Sequence, residues 1–361
     1  MKRLPQAAID RIVDFSAEAA VSLPPYALEK DHHVVDAMRI IAQMPPNELF
    51  RPVFCGGTCL SKAYGVLERM SEDVDFKIAP TPAAKNLSRT RLREELGAYG
   101  RAIEAALVDG GFGEGAIERN ARDSNSYISL QVAYESAFDK PHALRSHLLI
   151  ELTHTKLAGD TQRMPVGLLM DKLATGAYPD PLLIECVSPI EALAEKLVSF
   201  PRRLALQLSR HPDPRVALRP ENRWDSSLVR HLYDVEQLIA ARPELAADAE
   251  ALAKLVQSAI AKDRADFANQ HPQFVADPGG ELRRALEFAK ASEELADQYA
   301  RFVGDMVYAD PARVPAYTQA LGAFKATLAR TLDLVAPAAA TTPEPEPQAP
   351  VPKKPPRGPE G

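Results

Sequence analysis

Apolar and polar positions recur with two different periods along this chain, and the periods predict two kinds of element. Apolar residues recur every three or four positions over residues 6–22 and 26–43, which predicts two amphipathic helices. Residues 52–55 and 73–79 are short apolar or alternating runs bounded by Gly and Pro, which predicts strands. The segment between them, 58–69, has helical spacing. The pattern therefore begins as a mixture of helices and strands.

The same mixture continues to about residue 187. A charged amphipathic stretch over 88–110 predicts a long helix that ends at a Gly-rich turn. Residues 126–134 alternate, and 147–153 and 182–187 are more continuously apolar, so all three are predicted strands. We therefore expect an α+β (mixed α/β) domain over residues 1–187, with a mixed sheet and flanking helices.

From residue 188 onward the pattern is helical. Ser188 and Pro189 are a suitable N-cap and first helical residue for a helix over 189–200. A Pro- and Arg-rich connection is expected next, and after it a helical bundle that completes a second domain at 188–335. The final 26-residue stretch, 336–361, is rich in Pro and poor in large apolar residues, so it is expected to be disordered. The connection spans 201–226, and the bundle helices span 227–241, 245–264, 280–304 and 312–335.

Composition narrows the class of protein. The chain has 361 residues, 46% of them apolar, which suits two globular domains. A net charge of −6 argues against nonspecific coating of nucleic acid, although a local basic groove is still allowed. Cys55, Cys59 and Cys186 form an odd, sparse set that indicates buried reduced thiols. No apolar run reaches about 18 residues and no signal peptide is evident, so we expect a cytoplasmic protein without a membrane span.

The candidate chemistry lies between residues 54 and 78. Asp73 and Asp75 alternate with apolar residues in a predicted strand, so both carboxylates project from one face. Two adjacent carboxylates repel each other unless a cation lies between them, and Mg²⁺ prefers carboxylates together with substrate phosphates. Gly56, Gly57 and Thr58 form a Gly-rich turn entering a helix, where backbone N–H groups can hold a phosphate. The sequence therefore predicts one site for a metal and a phosphorylated ligand.

Glu151 is a second point of interest, because it lies in the apolar strand at 147–153. A buried carboxylate is costly unless it is paired or bound to a metal. Glu151 is therefore either a residue of an edge strand that reaches solvent, or a third metal ligand on a strand beside the aspartates. The sequence leaves both interpretations open.

Residues 54–76 carry a string that resembles a known family. With h for an apolar residue, the string follows the pattern GGT-x-LSK-x-Y-x-hh-x-R-h-SEDhD of the AbiEii toxin nucleotidyltransferases, in the DNA polymerase β-like nucleotidyltransferase superfamily. Three further segments are similar to the family: LEKD at 28–31, EALAEKL at 191–197 and RHLYDV at 230–235. The last departs from the family at His231, where an Asp is usual.

This resemblance, over about residues 26–240, implies a fold and an activity. It implies a nucleotidyltransferase-fold mixed sheet followed by a helical domain. It also implies transfer of a nucleotide from an NTP to an acceptor, with pyrophosphate as the leaving group. Relatives of this class act as toxins beside a cognate antitoxin or in phage defence, and some modify the 3′ acceptor end of tRNA. The tRNA acceptor is an analogy to the family and does not follow from these residues.

The resemblance also assigns expected roles to residues of the metal and phosphate site. Asp73 and Asp75 would bind Mg²⁺, with Glu151 as the candidate third carboxylate. Gly57 and Thr58, with the preceding Gly56, would hold the phosphates of the nucleotide.

Four more residues have expected roles with open alternatives. Ser61 and Lys62 would lie one helical turn beyond the glycines, with Lys62 either reaching a phosphate or remaining a solvated helix cation. Lys196 would offset triphosphate charge from the helical side. Asp234 would orient Lys196, the base or the ribose, or would instead pair on the helix surface with Arg230.

Two functions compete with transfer to tRNA. One is a noncatalytic binding module, against which the intact aspartates and glycine turn argue. The other is a protein-targeting nucleotidylyltransferase or kinase on the same fold, which differs only in its acceptor. The cluster Arg202, Arg203 and Arg210 would be a solvated face or part of a surface for RNA.

Overall fold

A seven-stranded mixed sheet organises the first half of the protein, as expected for the predicted fold class. The computed structural model describes residues 1–18, 23–141, 144–211 and 213–335. The strands are β1 (Phe50–Cys55), β2 (Asp73–Pro80), β3 (Ile117–Arg122), β4 (Tyr127–Ala133), β5 (His147–His154), β6 (Thr161–Val166) and β7 (Leu182–Val187). Their order across the sheet is β3-β4-β5-β2-β1-β7-β6. The aspartate strand β2 is therefore central, antiparallel to β1 and parallel to β5.

The two faces of β2 have different partners. Val74, Phe76 and Ile78 are buried in the core that the sheet forms with the N-terminal helices. Asp73 and Asp75 project from the other face, which the helical half of the chain partly covers. The helices of this first half are α1 (Gln6–Glu18), α2 (Pro25–Ala42), α3 (Gly56–Lys62), α4 (Arg89–Leu107) and α5 (Leu169–Thr175).

A second hydrophobic core joins the helical half to the sheet. It contains sheet residues such as Val53 and Val187 together with helical residues such as Phe200 and Phe324, whose rings meet edge-on at 5.8 Å. None of the described helices is long and apolar enough to span a membrane. The helices are α6 (Pro189–Arg210), α7 (Pro214–Ala217), α8 (Arg230–Ala241), α9 (Pro243–Ala247), α10 (Ala249–Asp266), α11 (Pro272–Ala276), α12 (Pro278–Ala291), α13 (Glu293–Met306) and α14 (Tyr317–Val335).

The predicted helix over 58–69 is wrong in length, because α3 ends at Lys62. Gly65 has a left-handed φ of +66°, which ends the helix and turns the chain back. The segment that follows pairs with the helical half of the chain. Met70 donates its N–H to the carbonyl of Met306 at 2.7 Å, beside an isolated β-bridge between Arg69 and Val307. This pairing ties the segment before β2 to the end of α13.

Two predictions in the helical half are also wrong. The expected connection at 201–226 begins ten residues late, because α6 continues through Pro201 to Arg210. Proline costs one helical hydrogen bond, but the burial of Phe200 and Leu204 on either side keeps the helix continuous. The helix expected over 280–304 is broken at Ser292, whose hydroxyl accepts a hydrogen bond from the N–H of Leu295 and caps α13.

Other differences concern boundaries and missed elements. The sequence pattern did not predict β3, β6 or α5. Helix α10 begins at Ala249, where Asp248 caps it, and α14 begins at Tyr317. Residues 19–22 of the first predicted helix, and the tail at 336–361, lie outside the described residues. The domain boundary after residue 187 stays a prediction.

Candidate active site

The glycine turn and the aspartate strand meet where β1 ends. Gly56 has a φ of +76°, and a methyl group added to it would lie 2.0 Å from Oδ2 of Asp75. A methyl group added to Gly57 would lie 2.2 Å from Nη2 of Arg69. The glycines are therefore required because a carboxylate and a guanidinium group approach the backbone where a side chain would stand.

Thr58 fixes the start of the aspartate strand. Its side chain is buried, its hydroxyl donates to the carbonyl oxygen of Asp73, and it is hydrogen-bonded to Oγ of Ser71 at 2.7 Å. These bonds hold α3 against the first residues of β2 and so set the position of the carboxylates relative to the turn.

Glu151 lies directly beside Asp75. Strand β5 is paired on both sides, by β2 and β4, and Glu151 is the register partner of Asp75. The interpretation of Glu151 as a solvent-reaching residue of an edge strand is therefore wrong. The Tyr127 hydroxyl donates to Oε1 of Glu151, and the Glu151 carboxyl group is close enough to Asp75 to raise the pKa of that carboxyl.

The charge of Asp75 is poorly compensated. Burial raises the pKa of Asp75 well above its usual range, and the neighbouring Asp73 and Glu151 raise it further, while Arg230 opposes the shift from a distance. No described cation forms an ion pair with Asp75. A buried acid with two acidic neighbours is what a bound cation would stabilise.

Arg145 is a site residue that the sequence did not reveal. Its guanidinium group pairs with Oδ1 of Asp73, and its backbone N–H donates to Glu72 at 2.9 Å. Lys30 holds Glu72 from the other side at 2.5 Å. Burial raises the pKa of Asp73, and the charge of Arg145 opposes that shift. Arg145 precedes β5 and carries no local motif, so only the pairing of β5 with β2 identifies it.

A cavity of about 290 Å³ opens beside the two aspartates, between the sheet and the helical half. Gly57, Asp73 and Asp75 form one wall. Arg230, at the start of α8, faces them and donates to Oγ of Ser227 at 2.5 Å. The other residues that line the cavity are Arg69, Met70, Ser71, Glu72, Arg145, Ser226, Ser227, Gln298, Arg301, Phe302, Asp305 and Met306.

Lys196 and Asp234 lie behind this wall. Asp234 is fully buried and receives hydrogen bonds from Nε (2.6 Å) and Nη2 (2.8 Å) of Arg69, and from Nζ of Lys196 (2.7 Å). Burial opposes ionisation, but the two cations outweigh it and hold the pKa of Asp234 well below its usual range. The alternative of a surface pair with Arg230 is wrong. Asp234 instead connects α6 and α8 to the cavity wall through Arg69.

The structure does not bring Ser61 and Lys62 into the cavity. Nζ of Lys62 lies 2.5 Å from Oδ1 of Asp31 and donates to the carbonyl of Gly167 at 3.0 Å. The Ser61 hydroxyl donates to the carbonyl of Leu67 at 3.1 Å. Lys62 is 4% exposed, so the solvated helix cation is also wrong. Ser61 therefore stabilises the turn that follows α3, and Lys62 ties α3 to α2 and to the segment before α5.

The carboxylates fit a hard divalent cation. Asp73, Asp75 and Glu151 offer only oxygen donors, the set that Mg²⁺ prefers over softer metals. Among the described residues, no three His, Cys, Asp or Glu side chains are already arranged as a complete metal site. In particular, Asp73 is turned to Arg145. The three cysteines are buried free thiols, as expected, and take no part in the site.

Of the comparisons with known proteins, a family model identifies the family. A search of curated proteins gave no match. Among solved structures, the chain is similar to MenT4, a nucleotidyltransferase toxin from Mycobacterium tuberculosis H37Rv, at 20% identity and a TM-score of 0.36, covering 83% of this chain and 99% of that one. The family model for the nucleotidyl transferase AbiEii toxin of type IV toxin–antitoxin systems matches residues 37–327. The match spans most of the sequence, and the chain therefore belongs to this family of nucleotidyltransferase toxins.

Proposed function

We propose that this toxin transfers a nucleotide from an NTP to the 3′ end of tRNA in a Mg²⁺-dependent reaction. The single observation that supports this most is the Asp75–Glu151 pair. These two neighbouring carboxyl groups form no ion pair with any described cation, and Asp75 lies against a glycine turn beside an arginine-lined cavity. Nucleotidyl transfer needs such acids and such cations together, because it joins two highly charged reactants.

The donor NTP occupies the 290 Å³ cavity in this proposal. Its phosphates lie between the backbone N–H groups at Gly57 and Thr58 and the guanidinium groups of Arg145 and Arg230. Arginine suits this role because its planar fork matches two phosphate oxygens at once. Arg145 could bind the phosphates once a cation such as Mg²⁺ replaced it as the partner of Asp73.

The transfer step is an in-line displacement at the α-phosphorus. The acceptor hydroxyl oxygen forms a bond to this phosphorus, and the bond to the oxygen bridging the β-phosphorus breaks. Pyrophosphate departs with that oxygen and its electron pair. The hydroxyl proton passes to the carboxylate pair of Asp75 and Glu151 and then to water. Asp73, Asp75 and Glu151 would hold Mg²⁺, which would supply positive charge to neutralise the triphosphate.

Lys196 and Asp234 act by position in this proposal. Asp234 holds the Arg69 guanidinium group against Gly57, which shapes the phosphate end of the cavity. Lys196 adds positive charge behind the same wall. Residues 1–187 would then be the catalytic domain and 188–335 the helical domain that closes the site.

The cellular role follows from the family. A type IV toxin has an antitoxin partner, and we propose that a cognate antitoxin opposes this activity in the cytoplasm, where NTPs and tRNA are available.

One experiment tests donor, acceptor and metal together. The purified protein is incubated with each α-³²P-labelled NTP in turn, with tRNA or with protein alone, in Mg²⁺ and then in excess chelator. Label on intact tRNA in Mg²⁺, absent on periodate-oxidised tRNA and absent with chelator, is the expected result. Label on protein alone would favour the protein-targeting alternative, and no label with any donor would refute the proposal.

A further inference from the structure

A second, larger cavity of about 770 Å³ lies beside Tyr127, whose hydroxyl donates to Glu151. It is formed where the turn between β3 and β4 and the end of β5 face the C-terminal end of α10. Its walls carry Arg122, Tyr127, Lys156, Lys262 and Phe267. The donor cavity contains none of these residues.

Tyr127 joins this cavity to the carboxylates. Its ring lines the cavity, while its hydroxyl donates to Glu151, the register partner of Asp75. Adjacent strands are separated by about 4.8 Å, so Tyr127 on β4 starts only two strands away from Asp75 on β2. Asp73 and Asp75 line the donor cavity, and Tyr127 links the second cavity to Glu151, so the two cavities are connected to the acids through different strands of the sheet.

The walls have the chemistry of a site for single-stranded nucleic acid. Arg122 lies over the Tyr127 ring at 4.7 Å from its centroid, and Arg202 lies over the Phe267 ring at 3.9 Å. Aromatic rings and guanidinium planes are the surfaces on which splayed RNA bases stack. Arg202 is buried and pairs with Asp263 at 2.6 Å, so it supports the Phe267 ring without lining the cavity, and it is not the solvated cation that one interpretation of the sequence expected.

Three cations and two acids line the cavity. Lys156 and Arg122 are exposed at its rim. Lys262 also lines it, paired with Asp266 at 2.7 Å, and Asp123 is the other acid. Arg122 and Lys156 are thus the cations best placed to meet a phosphate backbone.

We propose that this cavity binds the single-stranded 3′ end of the RNA acceptor. The inference rests on the proposed function, and it adds where and how the acceptor enters. In-line transfer requires the attacking and leaving oxygens on opposite sides of the α-phosphorus. Entry of the donor from the Arg230 side and of the acceptor hydroxyl from the Tyr127 side would meet that requirement.

The test is RNA binding without any nucleotide. The probe is a 5′-fluorescein single-stranded RNA of about ten nucleotides, a length typical of such sites, measured by anisotropy at several salt concentrations. The variant carries Arg122→Gln and Lys156→Gln, and the matched control carries Lys290→Gln and Arg330→Gln on the exposed faces of α12 and α14. All four residues are exposed, so the fold is expected to be retained in both.

Losing two phosphate contacts makes the fall of log K with log salt less steep, by about 1.4 in slope, and weakens binding about 25-fold near 0.1 M salt. The control is expected to bind as the unaltered protein does. Equal affinity and slope in variant and control would overturn the inference.

The outcome is separable from that of the proposed function. If the protein labels no RNA but the variant loses RNA affinity as expected, the proposed transfer fails and the binding site stands. If the variant labels tRNA with an unchanged KM for tRNA, the transfer stands and the acceptor site is refuted. Retained NTP affinity in the variant is also expected, and its loss would mean that this cavity holds the donor.

Discussion

Replacing Gly56 with Ala tests whether nucleotide transfer depends on the position of the Asp75 carboxylate, apart from any effect on the stability of the protein. The added methyl group would lie 2.0 Å from Oδ2 of Asp75, whereas real Cβ contacts are at least 3.0 Å, so the carboxylate must move by about 1 Å. A displacement of that size in a reacting group can cost about 100-fold in rate. We therefore expect transfer by Gly56→Ala to fall at least about 100-fold.

The backbone cost of the same change can be measured independently. Gly176, after α5, has the same φ of +76°, and a methyl group there would meet nothing within 4 Å. A left-handed φ costs an L-residue about 1–2 kcal/mol, so Gly176→Ala is the matched control for strain alone.

The assays are urea unfolding for stability and single-turnover transfer from the labelled NTP for rate. Both variants are expected to lose about 1–2 kcal/mol of unfolding free energy, and only Gly56→Ala is expected to lose activity. If Gly56→Ala stays within a few-fold of Gly176→Ala in rate, the Asp75 carboxylate does not need its position against the turn, and the reasoning is refuted.

Three further substitutions test other parts of the site. Asp234→Ala leaves Arg69 buried without its partner and is expected to lower the unfolding free energy by about 3–5 kcal/mol in urea titrations. Because pairing lowers the pKa of Asp234, its contribution to stability is fully present above about pH 4 and disappears as the pH falls further. Lys62→Met is expected to cost a similar amount by leaving Asp31 unpaired, and Asp31→Asn in the same chain should recover most of it, with kcat little changed. Arg230→Gln is expected to raise KM for the NTP about 10- to 100-fold, the worth of one hydrogen bond to a charged group, with stability retained.

Each of these has an outcome that contradicts it. A stable Asp234→Ala protein would mean that its buried cations find other partners. A Lys62→Met protein that folds well but loses NTP affinity would return Lys62 to the phosphate site. An unchanged KM in Arg230→Gln would place the triphosphate elsewhere.

The part of the site carried by one local string was predictable. Alternation along β2 placed Asp73 and Asp75 on one face, and the glycines before α3 indicated a close approach to the backbone. Both follow from neighbouring residues, because strand periodicity and turn conformation are local properties.

The rest depends on which distant elements pack together. Lys62 and Lys196 each lie in helices that match the family, and only their tertiary partners, Asp31 and Asp234, distinguish a structural cation from one behind the cavity. Arg145 enters the site through the pairing of β5 with β2, about 70 residues away in sequence. No local pattern encodes such contacts.

Tertiary packing also overrode local signals in the fold. Pro201 predicted a helix end, yet the surrounding core keeps α6 continuous. Residues 63–69 have helical spacing, yet they pair with the end of α13 instead. Intrinsic helix propensity predicts the conformation poorly where burial in the core determines it.

The most direct test of the central claim is the single-turnover rate of nucleotide transfer by Asp75→Asn, with saturating NTP, Mg²⁺ and tRNA. Asparagine keeps the shape and removes an acid whose ionisation burial and two acidic neighbours oppose, so the unfolding midpoint is expected to be at least that of the unaltered protein. The account predicts a rate about 10²- to 10⁴-fold lower, because a carboxylate that accepts the proton of the acceptor hydroxyl is lost. A rate equal to that of the unaltered protein would contradict it.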